Sequence, residues 1–233
     1  MTVWFVTGTD TGVGKTVVVA ALAAIHSGQG RRVTAIKPAQ TGVTATEAGD
    51  LDEVARLAGP IHTVEGIRLP EPLSPDRAAR EAGVSLPGQQ AHCTLVLDAA
   101  ATHDLVLVEG SGGVVVNIGD SFTLLDVAAA VEAAGQPVEW LVVARSGLGT
   151  LNHSRLTVSA IRNRGLRVRG IVIGSWPDAP ADVDRHNRAD LVAYTGVPVL
   201  GAVPENASEL DPPRFRTEAS RWLPALDSLD ANG

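Results

Sequence analysis

Short apolar runs recur along the chain, with helix-patterned stretches between them. The runs fall at residues 3–7, 33–37, 105–109, 141–144, 168–173 and 197–201. They are rich in valine, isoleucine and leucine and barely alternate, as suits strands covered on both faces. After Lys15, the residues Val18, Leu22 and Ile25 sit at helical spacing. Residues 50–57 open with a carboxylate, which favours a helix N-terminus. Residues 124–134 are alanine-rich and stop at Gly135, and residues 151–164 stop at Gly165, a residue type suited to closing a helix. This alternation predicts an α/β fold, a mostly parallel central sheet with helices on both faces, as one domain over residues 1–233. Residues 60–89 contain five prolines and no clear period, and read as loop with a short helix. From Glu205 onward the chain again reads as loop, with Pro212 and Pro213 ahead of a short helix at 217–223. Residues 227–233 form a polar tail. No internal repeat or low-complexity tract is visible.

Composition narrows the function. With 45% hydrophobic residues the chain can bury a sizeable core. A formal net charge of −7 and few aromatic rings argue against a nucleic-acid partner, which calls for positive charge and stacking surfaces. The single cysteine, Cys93, cannot form an internal disulfide or a cysteine-based metal site, which fits a reducing compartment. The first residues lack a basic leader, and no apolar run approaches the length of a membrane span. The expectation is a cytoplasmic protein with no membrane contact.

The first apolar run leads into Gly8-Thr9-Asp10-Thr11-Gly12-Val13-Gly14-Lys15-Thr16, with helix spacing after it. A glycine-rich turn between strand and helix, ending Gly-Lys-Thr, is a phosphate cradle. Glycines let backbone N–H groups point inward, and the helix N-terminus adds partial positive charge. Here Gly12, Val13 and Gly14 supply the backbone, Lys15 reaches the β- and γ-phosphates, the Thr16 hydroxyl can ligate Mg²⁺, and Val17 follows. The spacing is one residue longer than the usual form.

Such a loop calls for a further oxygen ligand to Mg²⁺. Glu109 ends a strand at the carboxyl edge, where open α/β sheets bind ligands. Its alternative is a glutamate paired with an arginine. Asp50 is open between metal ligand and helix cap, whereas Asp52 and Glu53 read as solvated helix-face charges. Lys37 also ends a strand and is one of only two lysines in the chain. Taken alone it could equally be a surface lysine, but a compact ammonium suits a phosphoryl oxygen or a carbamate.

Together these residues resemble the dethiobiotin synthetase family. The resemblance rests on the loop from Gly8 to Thr16, on Lys37-Pro38 with Thr41-Gly42, on Val108-Glu109-Gly110-Ser111-Gly112-Gly113, and on Leu148-Gly149-Thr150-Leu151-Asn152-His153, in the family's order and spacing across residues 5–205. It implies a homodimer that carboxylates 7,8-diaminononanoate with CO₂ and closes a cyclic urea, at the expense of a nucleoside triphosphate, in biotin synthesis. The route runs through a carbamate and a mixed carbamic-phosphoric anhydride. The metal ligands would be Thr16, Asp50 and Glu109. Lys15 and Lys37 would neutralise the carbamate and the transferring phosphoryl group. Thr11 and Thr41 would touch the diamine end, and Gly110, Ser111 and Gly112 would approach nucleotide or substrate closely. Leu148, Gly149 and Asn152 would lie where a helix N-terminus receives the substrate carboxylate across the dimer interface.

The chain departs from the family pattern at two places. Gly12 stands where some members have glutamate. Gly174-Ser175 stand where many carry an Asn-Asp pair that reads adenine. An asparagine amide can pair with a base edge and glycine cannot. Base selectivity is therefore expected to be relaxed or moved from ATP toward a pyrimidine triphosphate such as CTP, with backbone groups around Ala202, Val203 and Pro204 carrying more of the recognition.

Other features read as structural. The histidines (His26, His62, His92, His103, His153 and His186) lack the spacing of a zinc site and read as surface or interface residues, with His153 notable for its neighbours. Cys93 shares an apolar helical face with Val96. Ser111 half-matches a nucleophile elbow but has no identifiable His/Asp partners. Two other nucleotide-dependent readings compete. A glutamine-dependent amidoligase would need a further domain with a nucleophilic cysteine. A partitioning or septum-site switch ATPase would carry a lysine early in the phosphate loop, where this chain has Asp10 and Thr11, and often has an amphipathic tail.

Overall fold

A computed structural model describes residues 1–226. The expectation of a polar tail at 227–233 lies outside the described residues. The order is β1 (Thr2–Gly8), α1 (Lys15–Gly28), β2 (Val33–Thr41), α2 (Asp50–Ala58), β3 (His62–Leu69), α3 (Pro75–Ala82), α4 (Gln89–Thr102), β4 (Leu105–Gly113), β5 (Asn117–Gly119), β6 (Phe122–Thr123), α5 (Leu124–Ala133), β7 (Val138–Ala144), α6 (Thr150–Arg162), β8 (Arg167–Trp176), α7 (Asp182–Thr195), β9 (Val199–Pro204) and α8 (Pro212–Trp222).

Seven strands form one parallel sheet in the order β3-β2-β4-β1-β7-β8-β9, and β5 and β6 make a separate small hairpin. Alternation along β1 shows why the sheet needs cover on both sides. Trp4 and Val6 enter the core under α1, α2 and α8, while Val3 and Phe5 enter the core under α4, α5, α6 and α7. The result is a three-layer α/β architecture, as the sequence pattern predicts. Burial is close to complete on the central strands, so their near-continuous apolar runs follow from parallel geometry.

Residues 60–89 correct the loop expectation. They contain the edge strand β3 as well as α3. β3 pairs only with β2 and is half-exposed along most of its length, so its sequence carries His62, Glu65 and Arg68 rather than an apolar run. The histidine reading is corrected too. His26 and His92 are 1% and 2% exposed, inside the scaffold.

The sheet parts where the site lies. Pairing of β2 with β4 stops at Ile36–Val108, and the next residues on the two strands are Lys37 and Glu109. Pairing of β1 with β4 slips after Val6–Glu109. The central strands thus splay at their carboxyl ends, the edge where open α/β sheets take ligands.

Candidate active site

The loop between β1 and α1 turns through Gly12 and Gly14, both with positive φ, which a glycine adopts without strain. It delivers Lys15 and Thr16 to the first turn of α1. Lys15 is buried, and its ammonium donates to the Asp10 carbonyl at 3.0 Å. The side chain of Asp10 accepts from the Thr11 amide and from Arg145, which follows β7. That pair ties the loop to the neighbouring strand end. Burial, then the nearby Lys37 charge, draws the Lys15 pKa below its ordinary value.

Four side chains converge beside this loop. The Thr16 hydroxyl donates to Glu109 Oε1 at 2.9 Å. Lys37 Nζ stands 2.7 Å from the same oxygen and 2.5 Å from Asp50 Oδ2. Glu109 is 1% exposed, and its second oxygen, Oε2, is buried without a hydrogen-bond partner. Burial raises the Glu109 pKa against the opposing pull of Lys37. Burial lowers the Lys37 pKa, but the carboxylates of Glu109 and Asp50 outweigh it and hold the ammonium above its ordinary value. The arginine-partner alternative for Glu109 is replaced by a lysine from the adjacent strand. Asp50 is free of capping duty, because Asp52 accepts from the Gly49 amide at the start of α2. Asp52 is therefore a cap rather than a bare surface charge, while Glu53 pairs with Arg56.

These groups wall a cavity of about 770 Å³, joined by Thr11, Gly12, Gly14, Val17, Thr41, Ser111 and Gly112. Gln40, Val116 and residues 72–75 complete the wall and were not read from the sequence. Only Gln40 carried a usable signal, a buried amide three residues beyond Lys37 on the same strand. Ser111 donates to the Ala39 carbonyl at 2.6 Å, which fixes the β4 end against β2. Gly110 lies behind the wall, with its carbonyl 3.4 Å from Lys37 Nζ.

A recess of about 180 Å³ adjoins the same loop, lined by Gly12, Gly14, Val17, Gly174, Ser175, Pro204 and residues 205–208. Glu205, Asn206, Ala207 and Ser208 were missed because they form a turn leading into a single 3-10 turn at Ala207–Glu209, too short to leave a sequence period. Val203 is in the core, and neither it nor Ala202 lines the recess. Gly174 has a packing reason of its own. A Cβ there would come 2.1 Å from the Val13 carbonyl oxygen, so only glycine lets the phosphate loop lie against β8. Leu148, Gly149 and Asn152 sit at the start of α6 and line neither space, and Leu148 is 81% exposed.

Among the described residues no cluster of three or more His, Cys, Asp or Glu could hold a metal. A cation here would have two carboxylates and a hydroxyl within reach, an oxygen-donor set that suits Mg²⁺ when phosphates complete the shell. The partnerless Glu109 oxygen fits that arrangement.

A family model described as an AAA domain matches residues 2–214. An ATP-dependent dethiobiotin synthetase from Saccharopolyspora erythraea is 52% identical, over 97% of each chain. One from Streptomyces avermitilis is 49% identical, over 96% of this chain and 92% of that relative. The chain belongs to the dethiobiotin synthetase family. Membership makes it a ligase of biotin synthesis. Solved structures give the fold alone. A ParA family ATPase from Chlorobium tepidum aligns with a TM-score of 0.58 at 14% identity, over 98% of this chain and 96% of that one. The septum site-determining protein MinD from Pyrococcus horikoshii aligns at 0.55 and 16%, over 99% and 92%. The switch-ATPase reading thus shares an architecture with the family but not its sequence.

Proposed function

We propose that the chain carboxylates 7,8-diaminononanoate with CO₂ and closes the cyclic urea of dethiobiotin, using a nucleoside triphosphate, as a homodimer in the cytoplasm. The observation that carries this is the meeting of Lys15, Lys37, Thr16, Asp50 and Glu109 at one cavity, in a chain about half identical to dethiobiotin synthetases along nearly its whole length. The substrate amine adds to CO₂ and loses a proton to give a carbamate, and a carbamate oxygen attacks the γ-phosphorus and displaces the nucleoside diphosphate. The second amine then attacks the carbonyl carbon, loses its proton and expels phosphate. The protein contributes mainly position and charge. Lys37 faces the carbamate and phosphoryl oxygens, Lys15 the phosphates, and Thr11 and Thr41 the diamine end. Thr16, Asp50 and Glu109 would hold Mg²⁺, which supplies charge neutralisation at the phosphates when bound. Leu148, Gly149 and Asn152 would serve the partner's site, with the α6 N-terminus facing the substrate carboxylate.

The base would lie in the smaller recess. No side-chain amide can stand at Gly174, so Ser175 and the 205–208 turn are left to read the base. ATP is accepted, and CTP competes with it. A competition assay showing ATP favoured at least tenfold over CTP would remove the relaxed-base part of the proposal. The activity itself is tested by phosphate release from ATP and CTP, with Mg²⁺ and bicarbonate, with and without the diamine. Release that requires the diamine, with a product bearing an added carbonyl bridge, is the expected result. Slow release indifferent to the diamine overturns the proposal and redirects attention to a protein or membrane activator.

A further inference from the structure

The loop of residues 42–49 joins Thr41 to Asp50, so it spans from the diamine side of the cavity to the metal side. It has no regular structure of its own and is largely exposed. One side chain outside the cavity wall grips it. Arg68, on the edge strand β3, donates from Nη1 to the carbonyls of Thr44 at 3.0 Å and Glu47 at 2.6 Å. Its other edge is fixed by a two-pronged contact with Glu65, Nε to Oε1 at 2.7 Å and Nη2 to Oε2 at 2.9 Å. A second side chain finishes the job at the loop's end. Gln40, 3% exposed, accepts from the Asp50 amide at 2.8 Å and donates to the Thr41 carbonyl at 3.1 Å. The two meet over Gly49, where a Cβ would lie 2.9 Å from Gln40 Oε1 and 3.0 Å from Arg68 Nη2.

A rigid guanidinium fork that bonds two backbone carbonyls and the Glu65 carboxylate, with Asp52 Oδ2 also 3.7 Å from Nη2, holds a loop in one shape, and an ammonium cannot reproduce that fork. Arg68 spends its donors on the protein and so has a scaffolding task rather than a ligand-binding one. We infer that Arg68, acting with Gln40 through Gly49, is a positioning residue that sets where the Asp50 carboxylate stands and thereby how tightly the divalent cation is held. This rests on Asp50 being a metal ligand, as proposed above. Groups behind a metal's direct ligands typically change metal affinity by ~10–100-fold when replaced.

The test is Mn²⁺ binding, read by electron paramagnetic resonance in the presence of ADP, for the full chain and for Arg68→Lys, Gly49→Ala and Asp50→Asn. Arg68→Lys keeps the charge and loses the fork. Gly49→Ala wedges the same clamp without removing a partner, so it serves if the lysine variant folds poorly. Both are expected to weaken Mn²⁺ by ~10–100-fold while metal-free nucleotide binding stays at the wild-type level, and turnover should recover at saturating Mg²⁺. Wild-type Mn²⁺ affinity in both clamp variants, with affinity lost in Asp50→Asn, overturns the inference and leaves the ligand reading standing. Wild-type affinity in Asp50→Asn overturns the ligand reading itself.

Discussion

The two edges of the central sheet carry the same kinds of charge but satisfy it differently. At the amino edge, Arg32 pairs with Asp104, their side chains 67% and 41% exposed, and the mostly buried Glu139 pairs with the exposed Arg167 and with Arg169, which is buried over Trp4. At the carboxyl edge, Lys37 pairs with Glu109 and both are buried, with Asp50 completing the group. An exposed pair exchanges one set of water contacts for another and gains little. A buried pair must cancel a large desolvation cost and is weak evidence for stability. What sets the carboxyl edge apart is an oxygen of the buried Glu109 that has no partner, whereas both oxygens of Glu139 accept hydrogen bonds, from Arg167, Arg169 and Trp4. The difference between the edges separates charge paired within the scaffold from charge that the proposed function assigns to phosphoryl transfer.

The comparison breaks most sharply at Lys37. On the proposed function, replacing it with glutamine removes the cation that faces the carbamate and phosphoryl oxygens, and turnover should fall ~10²–10³-fold. The same change leaves Glu109 buried without its counter-charge, at a cost of roughly 3 kcal/mol near neutral pH. The sign with pH is informative. Burial raises the Glu109 pKa, and Lys37 is the main group holding it down. Without Lys37 the folded-state pKa lies further above the unfolded value. The variant should be most stable in mild acid and lose stability as pH rises above about 4.3. Urea unfolding of wild type and Lys37→Gln from pH 5 to 8 checks this. Parallel curves with turnover intact would mean that the buried cluster is ordinary scaffolding.

A smaller effect belongs to the scaffold between the edges. His92 on α4 is buried against Phe122, and its Nε2 has no hydrogen-bond partner. Burial lowers its pKa, so the folded state resists the proton that the unfolded state accepts. Stability should fall as pH drops below about 6.5, by up to ~1.4 kcal/mol per pH unit, until the folded-state pKa is reached. His92→Leu keeps the apolar contact and should flatten that slope. If variant and wild type keep the same slope between pH 7 and 5, another group carries the acid sensitivity.

Legibility from sequence followed burial. The central strands announce themselves because both faces are covered, and Lys37 and Glu109 stand out because charge follows an apolar run. The edge strand β3 was hidden, since one covered flank requires few apolar residues and its Glu65 and Arg68 look like loop. Position along the chain could not show that Asp52 takes the capping role and frees Asp50, or that Arg68 closes on a loop some twenty residues earlier. Such links depend on which loops the sheet brings together. The 205–208 turn was invisible for the same reason. Gly174 was noticed as a departure from the family pattern, but its packing against Val13 needs coordinates.

The smallest expected effect tests the other side of the comparison. Arg32 gives its backbone amide and two guanidinium nitrogens to Asp104, which looks strong on paper. The guanidinium hydrogen bonds, followed by the Arg32 backbone amide, hold the Asp104 carboxyl well below the usual carboxylate range. Both groups stay in water, however, so Arg32→Ala should shift the thermal midpoint by no more than about 2–4 °C. A depressed carboxylate pKa contributes only where the unfolded state is also ionised. The wild-type and variant midpoints should therefore converge as pH falls below about 4, and also in high salt. Turnover should not change, because nothing at this edge reaches the cavity. A loss of turnover in Arg32→Ala, with the midpoint preserved, would show that the two edges communicate through β2 and β4, and the separation of scaffold charge from chemical charge would fail.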